Sequence, residues 1–90
     1  MIRMMISHDT EVGAYYLRLL DGPVARTVHI SDDVAVDLDT DGRVHGLELL
    51  CAPGLLKVEE RDALTRQFPP AAEALAKLEQ LLRPPMSAAS

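Results

Sequence analysis

The chain has 90 residues, a net charge of −5 and 48% apolar residues, with two tyrosines and one phenylalanine as its only aromatics. So short a chain cannot be divided into two cores, and a core built from Val, Leu, Ile and Met is thin enough for association to add useful buried area. Nine dispersed basic residues argue against a nucleic-acid surface, and the single Cys51 excludes an intrachain disulfide and fits the cytoplasm; no apolar run spans a membrane.

In chain order, residues 1–7 alternate Ile2, Met4 and Ile6 against Arg3, Met5 and Ser7, which predicts a first strand. This start is too short for a secretory leader. His8, Asp9, Thr10 and Glu11 predict a turn. Residues 14–20 predict a second strand, with Tyr15, Leu17 and Leu19 on one face and Tyr16 and Arg18 on the other. Asp21-Gly22-Pro23 is a turn signal. Residues 25–30 come next as a third strand, with Val28 and Ile30 inward and Thr27 and His29 outward. After Ser31-Asp32-Asp33 come two more runs, residues 34–38 and 44–50. Short connections between successive strands imply an antiparallel meander of about five strands.

The segment from Asp37 to Glu48 admits two readings. Asp37, Asp39, Asp41, Gly42 and Glu48 match the calcium-loop pattern D-x-D-x-D-G-x5-E. Such a loop needs a helix on each side, whereas Val34, Ala35 and Val36 precede it and Gly46 interrupts the run after it. The preferred reading is a β-hairpin turning at Asp41-Gly42, the dipeptide favoured by a two-residue type I′ turn. In that register Thr40 opposes Arg43, Leu38 opposes His45, Val36 opposes Leu47 and Val34 opposes Leu49. Val34, Val36, Leu38, Leu47 and Leu49 then share the core face. Ala35, Asp37, Asp39, Val44, Gly46 and Glu48 share the other, as a half-buried sheet requires. Asp37, Asp39 and Glu48 remain the residues of a weak divalent-cation site on that outer face, as the alternative to a solvated acidic surface.

Beyond Cys51-Ala52-Pro53-Gly54 the pattern changes. Residues 55–68 read as loop or as a short helix opened by Glu59, Glu60, Arg61 and Asp62, with Leu64 and Phe68 inward. Pro69-Pro70 suits the first turn of a further helix, in which Ala71, Leu75, Leu78 and Leu82 form a narrow apolar stripe. That helix either covers the sheet or pairs with its copy on another chain. Pro84-Pro85 stops it, and residues 84–90 are expected to fray. The expected fold is one α+β domain over residues 1–83: a β-meander over 1–52, then one or two C-terminal helices within 55–83.

Residues 1–52 resemble the bacterial domain of unknown function 2283 family. The resemblance rests on Asp9, Ala14, Tyr16, Arg18 and Leu19, and on the closing run Asp37, Asp39, Asp41, Gly42, Val44, Gly46, Leu47, Glu48 and Leu50. The chain departs from the family pattern at His8, where the family usually has Tyr, and at Gly13, where it often has Asp. The resemblance implies a small β-rich fold without an established activity, and a small protein partner of the kind an antitoxin has.

The other chemistry-bearing residues are scattered. His8, His29 and His45 fall on separate segments without metal-ligand spacing. Cys51 is too far along its strand from His45 to be activated by it, and reads as a small buried apolar side chain. Tyr16, Arg18, Asp37 and Glu48 share the outward face of the sheet, where Arg18 is placed to grip a small anion. No glycine-rich phosphate loop, nucleophile elbow or catalytic carboxylate pair is present. The expectation is therefore a non-enzymatic, cofactor-free cytoplasmic module that forms a homodimer or larger homo-oligomer. Its interaction face would comprise Tyr16, Arg18, Leu75, Leu78 and Leu82.

Overall fold

A computed structural model describes residues 4–82; the expected frayed tail, 84–90, lies outside them. Five strands form one antiparallel sheet: β1 (Met5–Asp9), β2 (Ala14–Arg18), β3 (Arg26–His29), β4 (Val34–Leu38) and β5 (Val44–Leu49). A 3-10 turn at Pro53–Leu55 leads to two helices, α1 (Val58–Gln67) and α2 (Pro69–Leu82). The α+β architecture matches the expectation, and the segment 55–68, open between loop and helix, contains α1.

The strand order is β1-β2-β5-β4-β3. The last strand in sequence thus occupies the centre, between a β1–β2 hairpin and the β3–β4–β5 run. β1 and β3 are the edges. β1 also differs from its sequence reading, running on through His8 and Asp9, because His8 pairs with Tyr15 and stacks on its ring at a centroid distance of 4.0 Å. Ring stacking across a strand pair favours extended backbone where the polar composition had suggested a turn.

The hairpin pairs Val34 with Leu49 and Val36 with Leu47 as expected, but reaches that register by another route. Its loop is Thr40-Asp41-Gly42, closed by the Asp39 amide donating to the Arg43 carbonyl at 3.0 Å. A type I′ turn at Asp41-Gly42 would need positive φ at Asp41. Among the described residues only glycines have positive φ, and here it is Gly42, at 82°. This is the three-residue loop with a left-handed glycine at its end. The loop shifts the pairing by one residue. A bulge then shifts it back, since Leu38 faces Val44 while Asp37 faces Gly46, leaving His45 without an opposite number. The corrections are local: Thr40 does not oppose Arg43, Leu38 does not oppose His45, and Val44 turns into the core.

One face of the sheet carries Leu17, Val34, Val36, Leu38, Val44, Leu47 and Leu49, packed against Leu56, Leu64, Ala71, Ala74, Leu75 and Leu78. Each larger side chain so buried contributes about 1.5–3 kcal/mol of transfer free energy. α1 stops at Phe68 because the residue before a proline is excluded from the helical region; Phe68 has φ −139° and ψ 70°. Its carbonyl instead accepts the Ala71 and Ala72 amides of α2. Along α2 the inward stripe is Ala71, Ala74, Leu75 and Leu78, with Leu82 left 48% exposed. Small alanines at 71 and 74 let the helix lie close to the sheet.

Polar contacts of two side chains, Arg61 and Glu60, fix the helical layer. Arg61 donates Nη1 and Nη2 to the two Glu79 oxygens at 2.9 and 2.6 Å, and Nη2 also to the Pro53 carbonyl. Glu60, 8% exposed, accepts the Lys57 amide at 2.7 Å and the Ser31 hydroxyl. Glu60 thereby closes the first turn of α1 and ties it to the β3–β4 connection. Among the described residues no helix is long and apolar enough to cross a membrane.

Candidate functional site

The helices cover one face of the sheet and leave the other open. Strand pairing sets out that open face in rows: Ser7, Tyr16, Glu48, Ala35 and His29 in one, Met5, Arg18, Gly46, Asp37 and Thr27 in the next. Tyr16, Arg18, Asp37 and Glu48 are therefore on one face as expected, and the pairing of β2 with β5 makes them neighbours.

Tyr16 reaches diagonally across β5 to Asp37, donating its hydroxyl to Oδ2 at 2.8 Å. Thr27 donates to the other oxygen, Oδ1, at 2.5 Å. The path crosses Gly46, where a Cβ would lie 2.5 Å from Tyr16 Cζ and closer still to the hydroxyl oxygen. Glycine is required here by this close approach, and the result is a lace from β2 over β5 to β4 and β3. Burial raises the Tyr16 phenol well above its usual range. The Asp37 hydrogen bond and the Asp37 and Glu48 charges push the same way, against Arg18.

Asp39 is occupied by its own turn. Oδ1 accepts the Asp41 and Arg43 amides at 2.9 Å each, and Oδ2 accepts Arg43 Nε at 2.8 Å. Asp37, Asp39 and Glu48 are thus not assembled into a ligand set. Among the described residues no group of three or more His, Cys, Asp or Glu side chains is placed to hold a metal ion. The spacing that imitates a calcium loop instead supplies a turn and an anchor for Tyr16.

The remaining expected residues divide by exposure. Leu75 and Leu78, expected on an interaction face, are 3% and 1% exposed and belong to the core. An i, i+3 apolar stripe reads the same whether a sheet or a partner covers it, and here β5 and its neighbours do. Leu82 stays half-exposed on the last turn. Cys51 is partly buried beside the core, and burial, with the charges of Asp33 and Glu60, pushes its thiol up, away from nucleophilic use. His45 is 5% exposed, and its Nδ1 has no hydrogen-bond partner among the described residues.

Sequence reasoning missed Thr27 and Gly46 as members of the lace. Both were legible in principle: placing Val28 opposite Val36 also places Thr27 opposite Asp37. At the rim of the open face, Arg18 extends toward β1, its Nη2 donating to the Met5 Sδ. Asp21 holds it only at 3.7 Å, leaving the side chain 41% exposed. Beside it lies a cleft of about 250 Å³ lined by Met5, Arg18, Leu19, Leu20 and Asp21.

Fold and face together define a two-layer α+β protein with a polar, laced and uncovered sheet face. A family model described as a protein of unknown function (DUF2283) matches residues 5–52, a little over half of the chain. The chain belongs to that family. No curated protein and no solved structure matches it. The matched segment contains the whole sheet and its lace, whereas α1 and α2 lie beyond it.

Proposed function

We propose that this protein is a non-enzymatic interaction module that associates through the edge of its sheet, with itself and, in the cell, with a small protein partner. The observation that carries this reading is β1. All five of its residues are exposed, Met5 at 62% and Ile6 at 39%, and among the described residues its outer edge faces no other strand. Natural edge strands are usually blunted by lysine, proline or a bulge. Met5-Ile6-Ser7-His8-Asp9 has no Lys or Pro and runs in unbroken register with β2. Such an edge recognises another extended strand by main-chain hydrogen bonds. The free thiol of Cys51, with no second cysteine, supports a cytoplasmic setting for this association.

Sedimentation of the full chain over a hundredfold concentration range tests the reading. A reversible dimer or larger species is expected, converted to monomer by Ile6→Lys with an unchanged circular dichroism spectrum. A monomer at every concentration, binding no second protein, would remove the proposal.

The alternative, an ion-binding face, has one supporting observation, the exposed and loosely held Arg18 guanidinium, which suits a small anion. The cation form has less support, because Asp37 and Asp39 already accept hydrogen bonds at both oxygens.

A further inference from the structure

We infer that the occupant of the β1 edge is β1 of a second copy, paired antiparallel about a twofold axis at Ser7 and locked by two Arg18–Asp9 ion pairs between the copies. This inference rests on the edge-association reading above and specifies partner, register and contacts.

The register follows from symmetry. A twofold axis perpendicular to the sheet keeps each face on its own side, so a residue can oppose only residues of its own parity. The strand Met5–Asp9 overlaps its copy completely only when Ser7 faces Ser7. Centring on Ile6 or His8 leaves strand residues unpaired. With Ser7 at the axis, Met5 faces Asp9 of the second copy and Ile6 faces His8 of the second copy. The half-exposed Ile6 then lies beside an imidazole already held flat against Tyr15.

Charge decides in favour of a second copy. Adjacent strands lie about 4.8 Å apart, so Asp9 of the second copy is two spacings from Arg18. The Arg18 guanidinium, reaching over Met5, already spans the first. Asp9 in turn is half used: Oδ1 accepts the Glu11 amide at 3.0 Å, leaving Oδ2 for a cation. The pairing also separates like charges. The two Asp9 residues fall at opposite ends, roughly 13 Å apart at strand rise, beyond the screening length at physiological salt. A five-residue pairing is small by the standards of stable interfaces, so association is expected to depend on concentration and salt.

Two measurements on the full chain test this. In a Cys51→Ala background, oxidation of Ser7→Cys is expected to yield a disulfide-linked dimer, since opposed residues have Cα atoms about 4.5–5.5 Å apart. Met5→Cys, whose copies fall far from each other, is expected to yield none. Separately, Arg18→Glu and Asp9→Arg are each expected to weaken dimerisation at least tenfold. An equimolar mixture is expected to restore it. In a heterodimer of the two variants the introduced glutamate meets the introduced arginine, while the native Asp9 of one copy meets the native Arg18 of the other. Restoration on mixing cannot arise from misfolding of either variant.

A dimer in sedimentation that neither cross-links at position 7 nor recovers on mixing would overturn this register while leaving edge association standing. A chain that stays monomeric, or associates only with a different protein, would overturn the inference. In the first of those cases, absence of any partner would remove the functional reading as well.

Discussion

The two faces of this sheet are made from the same strands by different physics. The inner face is held by area: Leu17, Leu47 and Leu49 are fully buried, and any apolar side chain of similar volume would serve. The outer face is held by direction. Tyr16, Asp37 and Thr27 form a lace that works only while Gly46 leaves room for the Tyr16 ring. The inner face therefore explains why the chain folds. The outer face explains why an Asp-x-Asp spacing and a glycine stand in a segment whose aspartates are spent on hydrogen bonds.

The inner face is the more costly of the two to disturb. Leu78 is 1% exposed, in the middle of the helical layer. Leu78→Asp would bury a carboxylate with no partner, which costs enough to unfold a domain of this size, about 4 kcal/mol or more. Loss of the cooperative urea transition is expected. A soluble, folded Leu78→Asp protein that had lost only association would instead put α2 at an interface. Leu78→Ala gives the graded version, about 2–5 kcal/mol.

Much of this inner layer is legible in the sequence. Period-two alternation places Val34, Val36, Leu38, Leu47 and Leu49 correctly, because a one-residue slip would expose all of them. The turn is harder to read. Asp-Gly favours type I′, but that conformation requires a left-handed aspartate, whereas the three-residue loop places only Gly42 there. The compensating bulge at His45 leaves no local signature, so strict alternation puts Val44 on the wrong face. The outer site is half legible: parity gives Tyr16, Arg18, Asp37 and Glu48. The adjacency of β2 and β5 depends on a long-range pairing that no local pattern encodes. Leu75 and Leu78 show the same limit, since a stripe does not name what covers it.

The outer face is probed by a smaller change. Gly46→Ala places a methyl 2.5 Å from Tyr16 Cζ and closer still to the hydroxyl oxygen, so the ring must leave Asp37. A loss of about 2–3 kcal/mol is expected from overpacking together with the broken hydrogen bond. In a Tyr16→Ala background the ring is gone while the Leu17 carbonyl stays 3.1 Å from the added methyl, so the same substitution is expected to cost less, about 1 kcal/mol. The double-mutant cycle isolates that coupling. Additive losses would mean that Gly46 matters for its backbone and not for Tyr16.

A modest pH dependence is expected at the junction where the helical layer is tied to the sheet. The Ser31 hydroxyl and then the Lys57 amide hold the Glu60 carboxyl below its usual range, against a desolvation that pushes it up. A carboxyl depressed in the folded state stabilises above its unfolded pKa, near about 4.3–4.5, and loses that stabilisation as pH falls through the folded value. Glu60→Gln cannot titrate. It is expected to be less stable than the parent by about 1 kcal/mol at pH 7, the size of a lost cap. The two are expected to converge as the pH falls below the unfolded value and the parent carboxyl takes up its proton. Asp39 is likewise held below its usual range, its desolvation outweighed by the Arg43 and Asp41 amides and the Arg43 guanidinium, but it is the same in both proteins and cancels in the difference. A gap that stayed constant through that protonation would mean that Glu60 acts through packing alone, and that the tie between α1 and the β3–β4 connection is not electrostatic.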